Sequence, residues 1–319
     1  MKKLLSLALV VITLVSLSMG GLASEPEFTQ EQLDALNATL IDDNSELTIG
    51  EEFRVQVSPD DLSVTSGLDP AWFNVLLLGT DTGGKVLNYG RTDTMMVLSI
   101  NKTTGEMRLS SLVRDMYVNL PHLKIPNRIN TANAFGGPLY AIKVVNETLG
   151  LNIKDYFSVN FQGFKSIIDY LGGVTMSLSL AEARIAGAAL TTEPQLLNGE
   201  QALAYVRIRE LDNNFGRNTR QRKLLDAMLK QLLSSSDLNQ IMTALTESLK
   251  YLSTNMTISE LLQLVPPVLR NKIEMEMVGF PITGDWHNEM IGGVMSVVIF
   301  DHEKTKEKLH HFIYEGIMP

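Results

Sequence analysis

The chain has no cysteine among its 319 residues. That excludes a disulfide framework, a zinc–thiolate centre, a cysteine nucleophile and a lipoprotein-type cysteine anchor. A cationic excess is missing too. The 27 Lys and Arg stand against 36 Asp and Glu, a net charge of −9 with a pI near 5.1. Bulk electrostatic binding of nucleic acid is thereby disfavoured. No G-x-S-x-G elbow is present, which argues against a serine hydrolase. There is no helix-turn-helix signature, internal repeat or low-complexity tract. His122, His287, His302, His310 and His311 lack metal-ligand spacing around any carboxylate cluster. What remains is a globular composition, 45% hydrophobic and 20% charged, with ample material for a core.

The N-terminus sets the compartment. Lys2 and Lys3 precede an uncharged apolar run over residues 4–22, and small residues follow before Ser24. This reads as a secretory signal, cleaved, or as a retained membrane anchor of about bilayer-spanning length. Either way the remainder works outside the cytoplasm, at the outer face of the membrane or in the cell wall. Residues 24–70 are acidic and rich in turn formers, and read as a stalk. Residues 71–319 form the domain.

Within it, strands are expected near 72–78, 94–100, 106–112, 156–161, 174–178, 274–280 and 294–300. Helices are expected over 139–149, 163–171, 199–207, 218–233, 237–252, 258–269 and 303–314. Pro138 suits the first turn of the 139–149 helix and Gly150 the position just past its end. Leu224, Leu225, Met228, Leu229 and Leu232 recur at helical spacing and read as a core-facing stripe. The 15 methionines read as core filler. Alternating strands and helices predict an α/β fold, a central mixed β-sheet flanked by helices, with a C-terminal helical extension.

Three features carry chemistry. The stretch Gly79-Thr80-Asp81-Thr82-Gly83-Gly84-Lys85 fits G-x-x-x-x-G-K. A phosphate-binding P-loop needs Ser or Thr next, where Val86 stands, so that reading fails. Asp81 and Asp93 lie at adjacent strand ends. They are either ordinary turn residues or a carboxylate pair converging on one hard cation, as magnesium prefers. The arginines form the third feature. Residues 201–223 hold six basic and two acidic residues, and 81–128 hold seven and four, cationic islands in an acidic chain. They are either a solvated basic face or a phosphate-binding set, for which guanidinium geometry is suited.

These pieces occur in an order that resembles the LytR-CpsA-Psr (LCP) family of cell-envelope proteins. The blocks are Asn74-Val-Leu-Leu-Leu-Gly79-Thr-Asp81, Arg91-Thr-Asp93-Thr-Met-Met96, Ser111-Leu-Val-Arg114-Asp115 and Arg128-Ile-Asn130-Thr-Ala-Asn-Ala-Phe-Gly136-Gly137. Leu171-Gly-Gly-Val174 and the run from Leu197 to Arg207-Ile-Arg209 follow, then Phe215-Gly-Arg217-Asn-Thr-Arg220-Gln221. The resemblance implies a single LCP-type domain behind an N-terminal anchor. It also implies a phosphotransferase that moves a glycopolymer, teichoic-acid-like or capsular, from a polyprenyl-pyrophosphate carrier onto peptidoglycan. By position, Asp81 and Asp93 match the family's magnesium-associated aspartates, with Mn²⁺ as an alternative ion. Arg91, Arg114, Arg207, Arg209 and Arg217 match its pyrophosphate-binding arginines, and Arg220 and Gln221 the tail of the last motif. Asp93, Arg114 and Asp115 are the expected catalytic groups, with Asp93 or Asp115 taking the acceptor's proton. The partners implied are the lipid-linked glycan, peptidoglycan and the membrane, and no nucleic acid. Gly83 stands where many members have Arg, Val113 where they have Pro, Arg128 for a common Lys, and Asn213-Asn214 near a usual Asp. The rival functions are a wall-polymer-binding protein without catalysis and a polyprenyl-pyrophosphate hydrolase.

Overall fold

The computed structural model describes residues 53–81, 89–123, 125–212, 214–233, 243, 246–270 and 274–319. The apolar run 4–22, most of the acidic stretch 24–70, Gly83-Gly84-Lys85 and much of the helix expected over 237–252 lie outside the described residues.

The centre is a six-stranded mixed sheet. In chain order its strands are β1 (Trp72–Thr80), β2 (Thr92–Asn101), β3 (Met107–Leu112), β6 (Asp155–Val159), β9 (Ser253–Thr254) and β10 (Met275–Phe280). Across the sheet the order is β10-β3-β2-β1-β6-β9. β1 runs antiparallel to β2 and parallel to β6, so it is paired on both edges. Its sequence WFNVLLLGT is apolar at successive positions because both of its faces are covered. Asn74 is the polar exception. Its side chain donates to Asn152 and Tyr314 and accepts from Ser99, a closed network that offsets its burial.

One face of the sheet is covered by α1 (Ala132–Leu149) and by the C-terminal α7 (His302–His310). α1 begins earlier than the 139–149 expected. It is two helical limbs joined across Gly136 and Gly137, and Gly137 sits at φ 67° and ψ −167°. That left-handed region favours glycine, and Pro138 then restarts the helix. The opposite face carries α2 (Phe161–Tyr170), α4 (Gly199–Arg207) and α5 (Asn214–Leu233). These pack with α3 (Leu180–Ala186) and the small β7 (Val174–Met176)–β8 (Gln195–Leu197) pair around Ile168, Leu178, Leu197, Leu203 and Leu224. α6 (Ile258–Arg270) seats Val265 and Val268 against Ile100 and Met107.

Two hairpins were not expected, β4 (Tyr117–Leu120) with β5 (Ile125–Arg128), and β11 (Trp286–Ile291) with β12 (Met295–Phe300). The C-terminal part is therefore not simply a helical extension, since it supplies an edge strand and a hairpin. The expected stalk also ends too late. Phe53 and Leu62 are buried, Val55 N–H donates to the Phe135 carbonyl, and Lys143 donates to Asp61 at 2.6 Å. The folded unit thus begins ahead of Trp72. Among the described residues, no helix is long and apolar enough to cross a membrane.

Candidate active site

The site grows from a flaw in the β1–β2 ladder. Gly79 pairs with Thr94, but Thr80 pairs with Thr92, so Asp93 is an extra residue. In regular pleating, neighbours point to opposite faces; a bulge breaks that rule and re-aims a side chain. Asp93 and Thr94 consequently both face one cavity. Gly79 lets the strands close here, for a Cβ on it would come within 3.0 Å of the Thr94 Cβ.

Around Asp93 the arginines converge. Arg114, just past β3, donates from Nη1 to Asp93 Oδ1 at 2.5 Å, and its Nε lies 3.5 Å from Asp115. Arg209, just past α4, reaches within 3.5 Å of the other Asp93 oxygen, with its side chain 54% exposed. Asp115 accepts from Asn214 at 2.5 Å and lies 3.8 Å from Arg128. Arg91 is buried and lies 3.6 Å from Asp81. Five guanidiniums (Arg91, Arg114, Arg128, Arg209 and Arg217) thus stand against three carboxylates (Asp81, Asp93 and Asp115).

Arg217 sets the electrostatics of this group. It lies in the first turn of α5, only 2% exposed, and among the described residues none of its three guanidinium nitrogens has a hydrogen-bond acceptor. Burial first, then Arg114, push the guanidinium down to about 10. A buried cation without an acceptor is costly unless an anion arrives. The helix N-terminus beside it adds to the pull on that anion. Burial works to raise the Asp93 carboxyl, but Arg114, Arg217 and Arg209 outweigh it and hold the group below the usual carboxylate range. Asp81 goes the other way: burial and the neighbouring Asp93 push it up, and Arg91 only partly opposes them.

Mutual repulsion between Asp81 and Asp93 is the observation that bears on a metal. Two adjacent carboxylates suit Mg²⁺ or Mn²⁺ when substrate oxygens and water complete the shell. Among the described residues there is no group of three or more His, Asp or Glu that could hold an ion alone. The donor set fits a cation that arrives with its substrate.

Behind the charged mouth lies an apolar cavity of about 350 Å³. The sheet contributes Leu77, Met96, Leu98, Phe157 and Val159, and the helices Phe164, Ile167, Leu203, Val206 and Leu224. Leu225, Met228 and Leu229 line it as well, so the stripe expected to face a core both joins the core, through Leu224, and walls a space. The same space is bounded by Asp93, Arg207, Arg209, Arg217 and Gln221, so the charged and apolar parts are continuous.

Not every expected residue joins the mouth. Arg207 reaches its edge, but its guanidinium carbon sits over the Phe161 ring, 4.4 Å from the centroid. Arg220 is turned elsewhere. It makes two bonds to Asp212, at 2.8 and 2.6 Å, and one to the Ile208 carbonyl, and it clasps the turn that carries Arg209. Sequence reasoning missed Asn214 and the positioning contact of Arg128. The departures at those two positions were the available signal.

The LytR_cpsA_psr family model matches residues 37–311. The chain belongs to the LytR-CpsA-Psr family. Among curated LytR-CpsA-Psr relatives, the "Polyisoprenyl-teichoic acid--peptidoglycan teichoic acid transferase TagU" of Oceanobacillus iheyensis is 35% identical over 242 residues, 72% of each chain. The protein of the same name from Enterococcus faecalis is 37% identical over 185 residues, 56% of this chain and 60% of that one. In structure, Bacillus subtilis TagV matches with a TM-score of 0.64 at 25% identity, covering 79% of this chain and 100% of that one. The structure of TagT bound to LI-WTA matches with a TM-score of 0.65 at 23% identity, covering 83% and 100%, a likeness of fold. The mixed sheet flanked by helices is the LytR-CpsA-Psr architecture.

Proposed function

We propose that the protein transfers a teichoic-acid-like glycopolymer from a polyprenyl-pyrophosphate carrier to peptidoglycan. One observation supports this reading: a buried guanidinium, Arg217, with no hydrogen-bond acceptor among the described residues, at the junction of a cationic mouth and an apolar cavity. A lipid pyrophosphate has that same division, an anionic head on a hydrocarbon tail. The names of the curated relatives support the reaction class. The apolar N-terminal run suits a tether to the outer face of the membrane, where such a carrier is found.

In the reaction, an acceptor sugar hydroxyl attacks the sugar-linked phosphorus. A new P–O bond forms to the acceptor, and the bond to the lipid phosphate breaks, releasing polyprenyl monophosphate. Arg114, Arg209 and Arg217 hold the pyrophosphate and take up the charge that shifts onto the leaving phosphate. Catalysis is then mainly positioning and fixed electrostatics. The hydroxyl proton goes to Asp93 or Asp115. Asp93 is held anionic by three guanidiniums, whereas Asp115 keeps one buried carboxylate oxygen with no hydrogen-bond partner among the described residues, which favours Asp115 on geometry. Asp81 and Asp93 would hold Mg²⁺ or Mn²⁺. When bound, that ion supplies Lewis-acid polarisation of the phosphate oxygens.

The test is incubation of the full chain with a lipid-pyrophosphate oligosaccharide, Mg²⁺ and glycan strands. Transfer with release of polyprenyl monophosphate is expected, and EDTA should stop it until Mg²⁺ or Mn²⁺ is restored. Release of the oligosaccharide to water makes the protein a hydrolase, and retention without turnover makes it a polymer-binding protein. Either result overturns the reading.

A further inference from the structure

Outside the mouth and its cavity, a second cleft of about 470 Å³ opens between β11, β12 and the start of α7. Trp286, His287, Asp301 and Lys304 line it. Trp286 links this cleft to the site already described. Its ring stacks on Phe215 with centroids 4.5 Å apart and planes at 20°. Phe215 lies between Asn214, which is bonded to Asp115, and Arg217. The hairpin is pinned to the same point, because Val298 N–H donates to the Asp115 carbonyl at 2.8 Å and pairs with Met116. One side of the Trp286 ring thus backs onto the wall of the mouth near Asp115, and the residue also borders the cleft.

We propose that this cleft and the Phe215–Trp286 stack form the binding site for the acceptor saccharide, a chain of β-linked amino sugars. A pyranose ring offers an apolar C–H face to an aromatic ring and a rim of hydroxyls to polar groups. Trp286 supplies the flat face with little side-chain entropy to lose. His287 and Asp301 supply polar atoms at the rim. The charge also fits. In and beside the cleft, Asp285 and Asp301 stand against Lys304 and Lys308, and both lysines bond Asp285. That balance suits an uncharged sugar ring better than the polyanionic donor, which the arginine-rich mouth attracts. A strand lying here delivers its hydroxyl from the Asp115 side of the mouth. The acceptor role rests on the transfer reading; saccharide binding does not.

The experiment has two arms. The chain has two tryptophans, and Trp72 is only 4% exposed. Titrating the full chain with the β-1,4-linked tetramer of N-acetylglucosamine should therefore change tryptophan emission saturably, and W286A should abolish the change. In the transfer assay, W286A should raise the acceptor KM at least about tenfold, the usual scale for truncating a central aromatic contact, and raise it several times more than the donor KM. W286F should recover most of that loss. H287A, at an exposed position, should raise the acceptor KM severalfold and covers the case in which W286A does not fold. An unchanged acceptor KM in folded W286A, or a tetramer that leaves the emission unaltered, overturns the proposal. If the wild type transfers to nothing yet titrates with the tetramer, the transfer reading falls and the saccharide site stands.

Discussion

Replacing Arg217 with Met should make the protein more stable and inactive. The guanidinium is pushed down to about 10 from an ordinary 12.5. Each tenfold change in proton affinity corresponds to about 1.36 kcal/mol, so keeping this charge buried costs the fold roughly 3 kcal/mol. Little solvent discount applies at 2% exposure. Met keeps the aliphatic stem and removes the charge, and Asp93 still has Arg114 and Arg209. The net gain expected is about 1–3 kcal/mol, because exchanging buried charge for apolar volume is commonly stabilising by that much. For a domain of this size the melting temperature should rise by about 2–5 °C. Inorganic pyrophosphate should add to the wild-type melting temperature and leave R217M unmoved, since only a bound anion gives linkage stabilisation. Paired thermal melts with and without pyrophosphate decide it. A variant destabilised by more than about 1 kcal/mol would show that Arg217 is a structural cation, and the account of the mouth would fail.

Other expectations follow from neighbouring residues. R209A should lose at least about tenfold in turnover with a melting temperature within about 1 °C of wild type, because the side chain is half-exposed and its ion pair contributes little to the fold; a large drop in stability would count against this. R220A should lower stability by about 3 kcal/mol through the broken Asp212 clasp, yet leave the donor KM near wild type when assayed below its melting range; a selective rise in donor KM would make Arg220 a substrate contact after all. L225W should obstruct the cavity. Each CH₂ denied burial costs about 0.8 kcal/mol, so losing two should weaken long-chain donors more than tenfold, while a short, water-soluble analogue is processed normally. Equal loss with both donors would show that the tail does not enter there.

The residues gathered at the charged mouth were readable because each lies in a short local block. Asp81, Asp93, Arg114 and Arg217 each stand next to a strand end or a helix start, and local spacing reports those ends. The cavity was not readable for a physical reason. Leu224, Leu225, Met228 and Leu229 obey the same helical period whether they fill a core or line a space, since both require apolar side chains. The β11–β12 hairpin escaped because Trp286-His287-Asn288-Glu289 is largely exposed and lacks the alternation of a half-buried strand. The early start of the folded unit escaped because Phe53 and Leu62 are isolated apolar residues in an acidic stretch, and their partner, α1, comes some 80 residues later. Arg207 and Arg220 show the complementary limit. Residue type placed them near phosphate chemistry, but rotamer and partners decide where a guanidinium points.

The extra residue at Asp93 has a consequence for how the gene can vary. Strand faces alternate every second residue, so deleting that single residue while keeping the Gly79–Thr94 pairing would remove the carboxylate without disturbing Met96 and Leu98. A deletion taken up one residue later would rotate the whole of β2, turning its greasy side chains away from the cavity and toward α1. The charged mouth and the apolar cavity are geared together through one wrinkle in one strand, and a frame-preserving indel there should be far less tolerated than any point change in the cavity wall.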